Sequence, residues 1–352
     1  MILEAYSCSD VGVQRTENED NLYFNGMIKE ETAESFKHYE KMNIKKTHAV
    51  FGVFDGMGGY AKGEHAAYIT ADTAKSVLKK TKSSDSKELL KKICVDANTK
   101  ICDEIKKDLG QRMGATLAML LFEGSRYHMC NVGDSAVYMM RKGELHKISL
   151  EHTEAATYVK IYGEEPPKDK KFPLTQHIGM SDNLSRFNPY YTSDNVIEGD
   201  IFLLCSDGLT DMLDDAEISR IINSSRPLSG IGKILLNNAL DRGGSDNISF
   251  ILIKATEVPE PMVQIPRRES TKPKKEPEAT IENKKSEAKV KNDKSDKNSV
   301  AEKTLDNDEE LDERKAAGKV IAGTVAFIIV VIAVSVICAR FGGADIINGL
   351  FE

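Results

Sequence analysis

The stretch Val53-Phe54-Asp55-Gly56-Met57-Gly58-Gly59 gives the first indication of both fold and function. It completes an alternating apolar run that begins at Ala49, which is typical of a β-strand that ends in a sharp turn. The turn would hold the Asp55 carboxylate at the strand end, while the glycines, which lack side chains, leave backbone carbonyls accessible. Oxygen ligands of this kind suit a hard divalent cation. On its own, the stretch also fits an ordinary Asp-Gly turn without chemistry.

Similar acidic motifs recur along the chain. They are Glu19-Asp20-Asn21, Val132-Gly133-Asp134-Ser135, Cys205-Ser206-Asp207-Gly208 and Gly244-Ser245-Asp246-Asn247. Asp134 and Asp207 end apolar runs, whereas Asp246 precedes one. Carboxylates at the ends of several strands can converge on one edge of a sheet, where they repel one another unless metal ions neutralise them. The pattern therefore predicts a cation site built from acidic residues that are distant in sequence.

Composition sets the bounds of this interpretation. The chain has 352 residues, 40% of them hydrophobic, and a net charge of −7. One or two domains with appendages are expected, and nucleic acid is disfavoured as the main partner. Six cysteines without a C-x-x-C pair indicate reduced, buried thiols and an intracellular folded part. The N-terminus, Met1-Ile2-Leu3-Glu4, lacks the features of a secretory signal.

Residues 1–256 are predicted to form one globular unit. Apolar spacing predicts a helix over Gly63 to Lys80 and a second helix that begins at Asp85. Strands and helices come in blocks rather than in strict alternation. This order favours antiparallel sheets covered by helices over a parallel sheet.

Three polar segments of this unit are predicted to lack regular structure. We expect Arg15 to Asn21 to be an exposed turn between two strands, and the charged run from Met27 to Lys46 to be an excursion. The stretch from Glu151 to Thr192 mixes charges and prolines with little periodicity. So long an irregular segment inside a compact domain is typical of a functional flap.

The chain beyond the globular unit changes composition abruptly. Residues 257–318 are rich in charged residues, Pro and Ser, and are predicted to be a disordered linker. Residues 319–340 are predicted to be a transmembrane helix, since the twenty residues from Val320 to Ala339 carry no charge; a buried soluble helix is the alternative. Basic residues precede this span at Arg314, Lys315 and Lys319, and only Arg340 follows it. This asymmetry predicts a cell-membrane protein with its globular unit in the cytoplasm and a short tail, residues 341–352, outside.

Six ordered motifs resemble, in order and spacing, those of the metal-dependent protein phosphatases of the type 2C (PPM) family, with the bacterial branch as the closer match. They are Arg15-x-x-Asn-Glu-Asp20, Asp55-Gly-Met-Gly-Gly59, Gly114-Ala-Thr116, Asn131-Val-Gly-Asp-Ser135, Ser206-Asp-Gly-Leu209 with Asp211, and Gly244-Ser-Asp-Asn247. The resemblance covers about residues 2–256. It implies an α+β fold, the four-layer α-β-β-α sandwich of two antiparallel sheets flanked by helices, with metals in a cleft at one end.

The resemblance implies a set of metal ligands. Asp55 would bridge two Mn²⁺ or Mg²⁺ ions, and the carbonyl of Gly56 would be a further ligand. Asp207 and Asp246 match the other direct carboxylates. Asp134 matches the carboxylate of a third, weaker metal site found in bacterial members.

The remaining motif residues imply roles around the metals. Glu19 and Asp20 match acidic groups that hold metal-bound waters, directly or through a hydrogen bond, and Arg15 matches the arginine that binds phosphate. Met57 stands where eukaryotic members have a histidine proposed as general acid, so leaving-group protonation would fall to a metal-bound water or another residue. His152 fits either a flap histidine or a structural one. His177 is expected to be structural.

The resemblance implies a protein serine/threonine phosphatase, and the predicted membrane span implies that it is membrane-anchored. Water activated by two metal ions would attack the phosphorus of phosphoserine or phosphothreonine without a phosphoenzyme. The expected substrates are phosphoproteins, including a membrane Ser/Thr kinase and its substrates. Two alternatives stay open: a pseudophosphatase that binds phosphoproteins without turnover, and a membrane scaffold whose phosphatase domain is vestigial.

Overall fold

The computed structural model describes residues 1–44, 48–58, 62–80, 85–107, 111–164, 166 and 172–259. The linker predicted for 257–318 lies outside this part of the chain from residue 260 onward. The predicted transmembrane helix at 319–340 and the predicted tail at 341–352 lie wholly outside it. Of the helices that are described, none has the length and apolar character needed to cross a membrane.

The described residues form strands and helices in the following order. The strands are β1 Ile2–Asp10, β2 Asn21–Phe24, β3 Met27–Ile28, β4 Phe36–Asn43, β5 His48–Phe54, β6 Gly56–Gly58, β7 Met113–Ala115, β8 Leu117–Glu123, β9 Arg126–Val132, β10 Ala136–Arg141, β11 Glu144–Lys147, β12 Tyr190–Asn195, β13 Ile201–Cys205 and β14 Ile248–Glu257. The helices are α1 Gly63–Lys80, α2 Ser86–Lys107, α3 Glu154–Tyr162, α4 Asp207–Thr210, α5 Asp215–Ile222 and α6 Leu228–Asp241. A 3₁₀ turn lies at Leu184–Arg186.

Two six-stranded antiparallel sheets face each other. One has the strand order β11-β10-β13-β14-β1-β4, and the other has the order β12-β9-β8-β5-β2-β3. Their inner faces share a core in which aromatic rings meet edge to face. The rings of Phe122 on β8 and Phe202 on β13 have centroids 5.1 Å apart, so this contact joins the two sheets.

Helices cover both outer faces of this pair of sheets. On one side, apolar residues of α1 and α2, such as Ala71 and Ile93, pack with Leu121 of β8. On the other side, α5 and α6 pack residues such as Ile218 and Leu235 against the opposite sheet. The predicted four-layer arrangement of two antiparallel sheets flanked by helices is confirmed.

A short ribbon lies apart from the two large sheets. Strands β6 and β7 pair in antiparallel fashion, with Met57 opposite Gly114, and Ala115 forms a bridge to Ile178. We call β6, β7 and Ile178 the ribbon. Thr116 separates β7 from β8, so the chain leaves the ribbon and enters the large sheet at this residue.

The helix predictions are confirmed, but two of the irregular segments are not. Helix α1 has the predicted bounds, and the Asp85 carboxylate accepts hydrogen bonds from the amides that open α2. The predicted excursion contains the edge strand β4, which pairs with β1. One face of an edge strand is wet, so its alternate charged residues conceal the pattern. The predicted flap contains α3, which is capped by the Thr153 hydroxyl, and β12, which pairs with β9.

The predicted exposed turn before β2 is also wrong in part. Asn18 and Asp20 are 5% and 2% exposed, although Arg15 and Glu17 are exposed as expected. Asn18 is tolerated in the interior because its amide donates to Ser9 Oγ and to the Glu34 carbonyl. The prediction for cysteine holds for the five in the described residues, which are free and buried. Cys338 lies outside them.

Candidate metal centre

Acidic residues from distant parts of the chain line one cavity of about 290 Å³. Of the residues with a predicted role, seven line it, and only Asp20 does not. The cavity is lined by Arg15, Glu19, Asp55, Gly56, Met57, Gly58, Thr116, Asp134, Leu174, Asp207 and Asp246. Five of these are carboxylates, while Arg15 supplies the positive charge.

Asp55 is fixed by its backbone at the point where β5 gives way to the ribbon. Its amide donates to Thr116 Oγ1 at 2.9 Å, and its carbonyl accepts from the Thr116 amide at 2.8 Å. The Thr116 hydroxyl in turn lies 2.6 Å from Ser135 Oγ. Ser135 follows Asp134 in sequence, so this chain of contacts links two of the acidic motifs.

Asp207 begins helix α4 and is separated from β13 only by Ser206. The next residue, Gly208, packs so closely on the Asn247 carbonyl that a β-carbon there would overlap it. This approach joins the Asp207 motif to the Asp246 motif. The Oδ1 atom of Asp207 is buried and has no hydrogen-bond partner among the described residues.

Asn247 holds the loop that carries Arg15 and Glu19. Its side-chain amide donates to the carbonyls of Val11 and Glu17, and its Oδ1 accepts from the Glu19 amide at 2.8 Å. These three bonds use both amide hydrogens and the carbonyl oxygen of the side chain. The loop between β1 and β2 therefore takes its position from a residue more than 200 positions later in the sequence.

Glu19 lies against the start of helix α1. An added β-carbon on Gly63 would stand 2.6 Å from Glu19 Cδ and 2.8 Å from both carboxylate oxygens. The backbone at Gly56 is equally close, since a β-carbon there would overlap the Gly63 carbonyl. Burial and the nearby Glu64 carboxylate raise the pKa of Glu19.

Asp20 lies beneath the cavity rather than on its wall. Its carboxylate accepts a hydrogen bond from Ser206 Oγ at 2.9 Å. The fully buried Lys29 lies nearby, and its ammonium donates to the carbonyls of Asn18 and Ala33 at 3.1 and 2.7 Å. Burial lowers the pKa of Lys29, and Asp20 opposes that shift.

Arg15 and Asp246 form an ion pair across the mouth of the cavity. Arg15 Nη2 lies 2.7 Å from Asp246 Oδ2, and both side chains are well exposed, at 47% and 33%. An arginine fork can instead bind two oxygens of a phosphate group. Asp246 therefore competes with any anion for Arg15, and Arg15 competes with any cation for Asp246.

The clustered carboxylates oppose one another's ionisation. Burial, followed by the charges of Asp20, Asp207 and Asp134, raises the pKa of Asp55 well above its usual range. Burial and Asp134 raise the pKa of Asp207 to about 6. Burial raises the pKa of Asp20 to about 7, even though two serine hydroxyls oppose the shift. The cluster is thus short of positive charge.

The cluster fits divalent cations by its donor chemistry. Hard cations take carboxylate and carbonyl oxygens, and one such oxygen, Asp207 Oδ1, is buried without a partner. In the described residues, however, no three His, Cys, Asp or Glu side chains come close enough together to hold one ion. Cations would have to draw these carboxylates together and separate Asp246 from Arg15.

The two histidines in this region have structural contacts. His152 is 8% exposed, and its Nδ1 accepts a hydrogen bond from the Gly133 amide at 3.2 Å. Burial lowers its pKa, which keeps the ring neutral. This favours the structural interpretation of His152. His177 Nδ1 lies 3.1 Å from the Ile178 carbonyl, next to Gly114.

Several residues that shape this site had no role predicted from the sequence. Thr116 and Asn247 belong to motifs that were identified, so their motif positions were the available signal. Lys29 gave no signal, because it is one of many lysines in a charged segment. Gly63 followed the glycine-rich turn but was interpreted only as the start of a helix.

Comparison with known proteins gives consistent matches. Residues 38–231 match the family model described as protein phosphatase 2C. The serine/threonine protein phosphatase PstP of Mycobacterium tuberculosis is 27% identical over 254 residues, which are 72% of this chain and 45% of that protein. The chain therefore spans less than half of that relative's length.

Two further matches cover nearly all of the compared protein. The protein phosphatase PhpP of Streptococcus pneumoniae is 27% identical over 262 residues, which are 72% of this chain and 98% of that protein. A crystal structure of the catalytic domain of PstP in complex with two manganese ions has a TM-score of 0.59 and 25% identity. It covers 73% of this chain and 100% of that domain.

Proposed function

Because the chain belongs to the protein phosphatase 2C family, we propose that it is a membrane-anchored protein serine/threonine phosphatase. The observation that carries the proposal is the single cavity where five carboxylates from distant segments meet Arg15. The relatives named as serine/threonine phosphatases support it, as does the pair of manganese ions in the PstP catalytic domain. The proposed substrates are phosphoserine and phosphothreonine residues of proteins.

Two Mn²⁺ or Mg²⁺ ions, when bound, would supply an activated water for in-line attack on phosphorus. Asp55, Asp207 and Asp246 would hold them, together with the Gly56 carbonyl. Glu19, in the cavity wall, would orient water, while Asp20 would hold Ser206 beneath the cavity through the hydrogen bond between them. Asp134 would serve a third, weaker ion.

Arg15 would bind the phosphate group of the substrate. It lies at the cavity mouth, and its guanidinium would be free to reorient once Asp246 binds a metal ion in place of Arg15. Its charge would offset the negative charge on the phosphoryl oxygens during transfer. None of the five described cysteines lies in the cavity wall, which agrees with a reaction that needs no covalent phosphoenzyme.

The proposed membrane anchor and partners rest on the sequence. Residues 319–340 would cross the cell membrane and hold the domain on its cytoplasmic side, with 257–318 as a tether. A membrane Ser/Thr kinase and its substrates would then be within reach. A chain that ends at residue 259 should keep its turnover of soluble phosphopeptides and lose its membrane association. Unchanged membrane association of that shortened chain would reject the anchor.

Activity is tested with the full chain, purified in detergent and stripped of metal, on a phosphothreonine peptide. Turnover should require Mn²⁺, stop with EDTA and fall at least about a hundredfold in Asp55→Asn and Asp207→Asn. Asp215→Asn is the matched control, because Asp215 lies on α5 outside the cavity, where its carboxylate accepts a hydrogen bond from Tyr138 on β10. Manganese binding without turnover would favour the pseudophosphatase instead.

A further inference from the structure

A second cavity, of about 690 Å³, opens beside the candidate metal centre. The two cavities share Met57 and Gly58, so they are continuous along strand β6. The ribbon forms the floor of the second cavity, where Gly58 lies opposite Met113 and Met57 opposite Gly114. We call this cavity the ribbon groove.

Four large apolar side chains line the ribbon groove. Met57, Met113 and Met180 contribute thioether side chains, and Ile105 closes it from the end of α2. Met113 is buried, whereas the other three are partly exposed. Methionines adapt their shape to different apolar groups, which makes such a surface suited to varied side chains.

One cationic side chain stands at the edge of this apolar surface. Arg112 is exposed and lines the groove. Within the described residues it makes no hydrogen bond or ion pair. The charge of Arg112 is therefore available to an acidic group that enters with an apolar one. His177 lines the groove as well, but its Nδ1 contacts the Ile178 carbonyl.

The spacing along the ribbon relates the groove to the metal centre. Asp55 immediately precedes β6, and Gly58 is its last residue. At about 3.3 Å per residue, these two positions lie roughly 10 Å apart. An extended peptide covers that distance in about three residues. A substrate whose phosphorylated residue enters the metal centre would thus place a neighbouring side chain in the groove.

We propose that the ribbon groove binds the polypeptide next to the phosphorylated residue. It selects phosphoproteins that carry a large apolar side chain two or three residues from the phosphorylated one, with an acidic residue beside it for Arg112. This inference rests on the proposed phosphatase function and adds the substrate class. The shared residues Met57 and Gly58 make one continuous surface from the reacting phosphate to the selected side chain.

The test measures kcat/KM of the full chain with Mn²⁺ on phosphothreonine peptides and on para-nitrophenyl phosphate. The peptides differ at only two positions. One position, two or three residues before or after the phosphothreonine, carries leucine or serine, and the residue next to that position is glutamate or lysine. Leucine should be preferred by about tenfold or more at one of these positions, because the groove buries its side chain. Glutamate should be preferred over lysine by about threefold.

Two variants locate the preference in the groove. Met180→Glu should abolish the leucine preference, and Arg112→Glu should reverse the glutamate preference. Arg126→Glu is the matched control. Arg126 is the first residue of β9, at the opposite end of that strand from Asp134, and its side chain contacts Ser193. It should leave both preferences intact. Hydrolysis of para-nitrophenyl phosphate shows in each variant that the metal centre is still folded.

The outcomes separate this inference from the function on which it rests. Normal hydrolysis of para-nitrophenyl phosphate with equal turnover of leucine and serine peptides overturns the groove and leaves the phosphatase standing. Preferences that survive both Met180→Glu and Arg112→Glu also overturn it. Absence of turnover on every substrate rejects the phosphatase, and the groove proposal is rejected with it.

Discussion

The carboxylate of Glu19 occupies the space beside Gly63 where any other residue would place its β-carbon. That β-carbon would stand 2.6 Å from Glu19 Cδ. The opening residue of α1 therefore sets the position of an acidic side chain in the cavity wall.

The substitution Gly63→Ala is expected to lower phosphopeptide turnover by about tenfold or more, because a displacement near 1 Å at a reacting site is that costly. The measurement is kcat/KM at saturating Mn²⁺. Gly230→Ala is the matched control, since its β-carbon would meet its nearest neighbour at an ordinary 3.6 Å. Gly230→Ala should keep full activity and gain up to about 1 kcal/mol of stability. Equal activity in the two variants would contradict the role of Gly63.

The stability of the metal-free protein should fall as the pH rises from about 4 to about 7. Asp20 and Asp207 have folded-state pKa values of about 7 and about 6, above the ordinary 3.8. A carboxyl whose pKa is raised by folding stabilises the fold fully below its unfolded pKa and loses that contribution as the pH passes its folded pKa. The check is thermal unfolding in EDTA across this range.

Added Mn²⁺ should stabilise the protein more at pH 8 than at pH 5, because the carboxylates then carry the charge that the cation neutralises. In EDTA at pH 8, Asp207→Asn should raise the unfolding temperature while it abolishes activity. A metal-free protein whose stability is constant or increases between pH 4 and 7 would rule out mutual repulsion in the cluster.

The substitution Asn247→Ala is expected to lower the free energy of unfolding by about 1 to 3 kcal/mol. It removes the partners of the Val11 and Glu17 carbonyls and of the Glu19 amide. Activity should fall as well, because the loop with Arg15 loses its anchor. Urea unfolding and turnover are measured together, with Asn237→Ala on α6 as the control. A fully active Asn247→Ala protein would show that the loop is positioned by other contacts.

The substitution Lys29→Met should also destabilise the fold by about 1 to 3 kcal/mol, since it leaves the carbonyls of Asn18 and Ala33 without their donor. The exposed Lys37 on β4 provides the control, and Lys37→Met should change the stability by less than about 0.5 kcal/mol. Urea unfolding of both variants decides the point. Equal stability of the two would mean that another group satisfies these carbonyls.

The sequence was sufficient for the features that depend on periodicity and motif spacing. The bounds of α1 follow from apolar residues on one helix face, and the cap of α2 follows from Asp85. The acidic motifs predicted a shared cavity, since each stands where a strand or turn begins or ends. Seven of the predicted site residues do line one cavity.

The sequence could not show which polar residues are buried. Lys29 and Asp20 look like surface residues, and only the three-dimensional contacts with Asn18 and Ser206 make their burial tolerable. It also could not show strand β4, whose pairing with β1 is set by a partner distant in sequence. The ribbon was missed for the same reason, because its third member, Ile178, lies in a segment without periodicity.

The central place of β1 and β14 in one sheet affects how the protein is made. Strand β1 pairs over its whole length with the last strand of the domain. At about 5 to 20 residues per second, a ribosome takes roughly 12 to 50 s to pass from Asp10 to Glu257. Through that time one edge of the nascent β1 stays open to wrong partners. An interrupted translation therefore yields a fragment that lacks both strand β14 and Asp246. We expect such fragments to be inactive and to be removed by cellular proteases and chaperones.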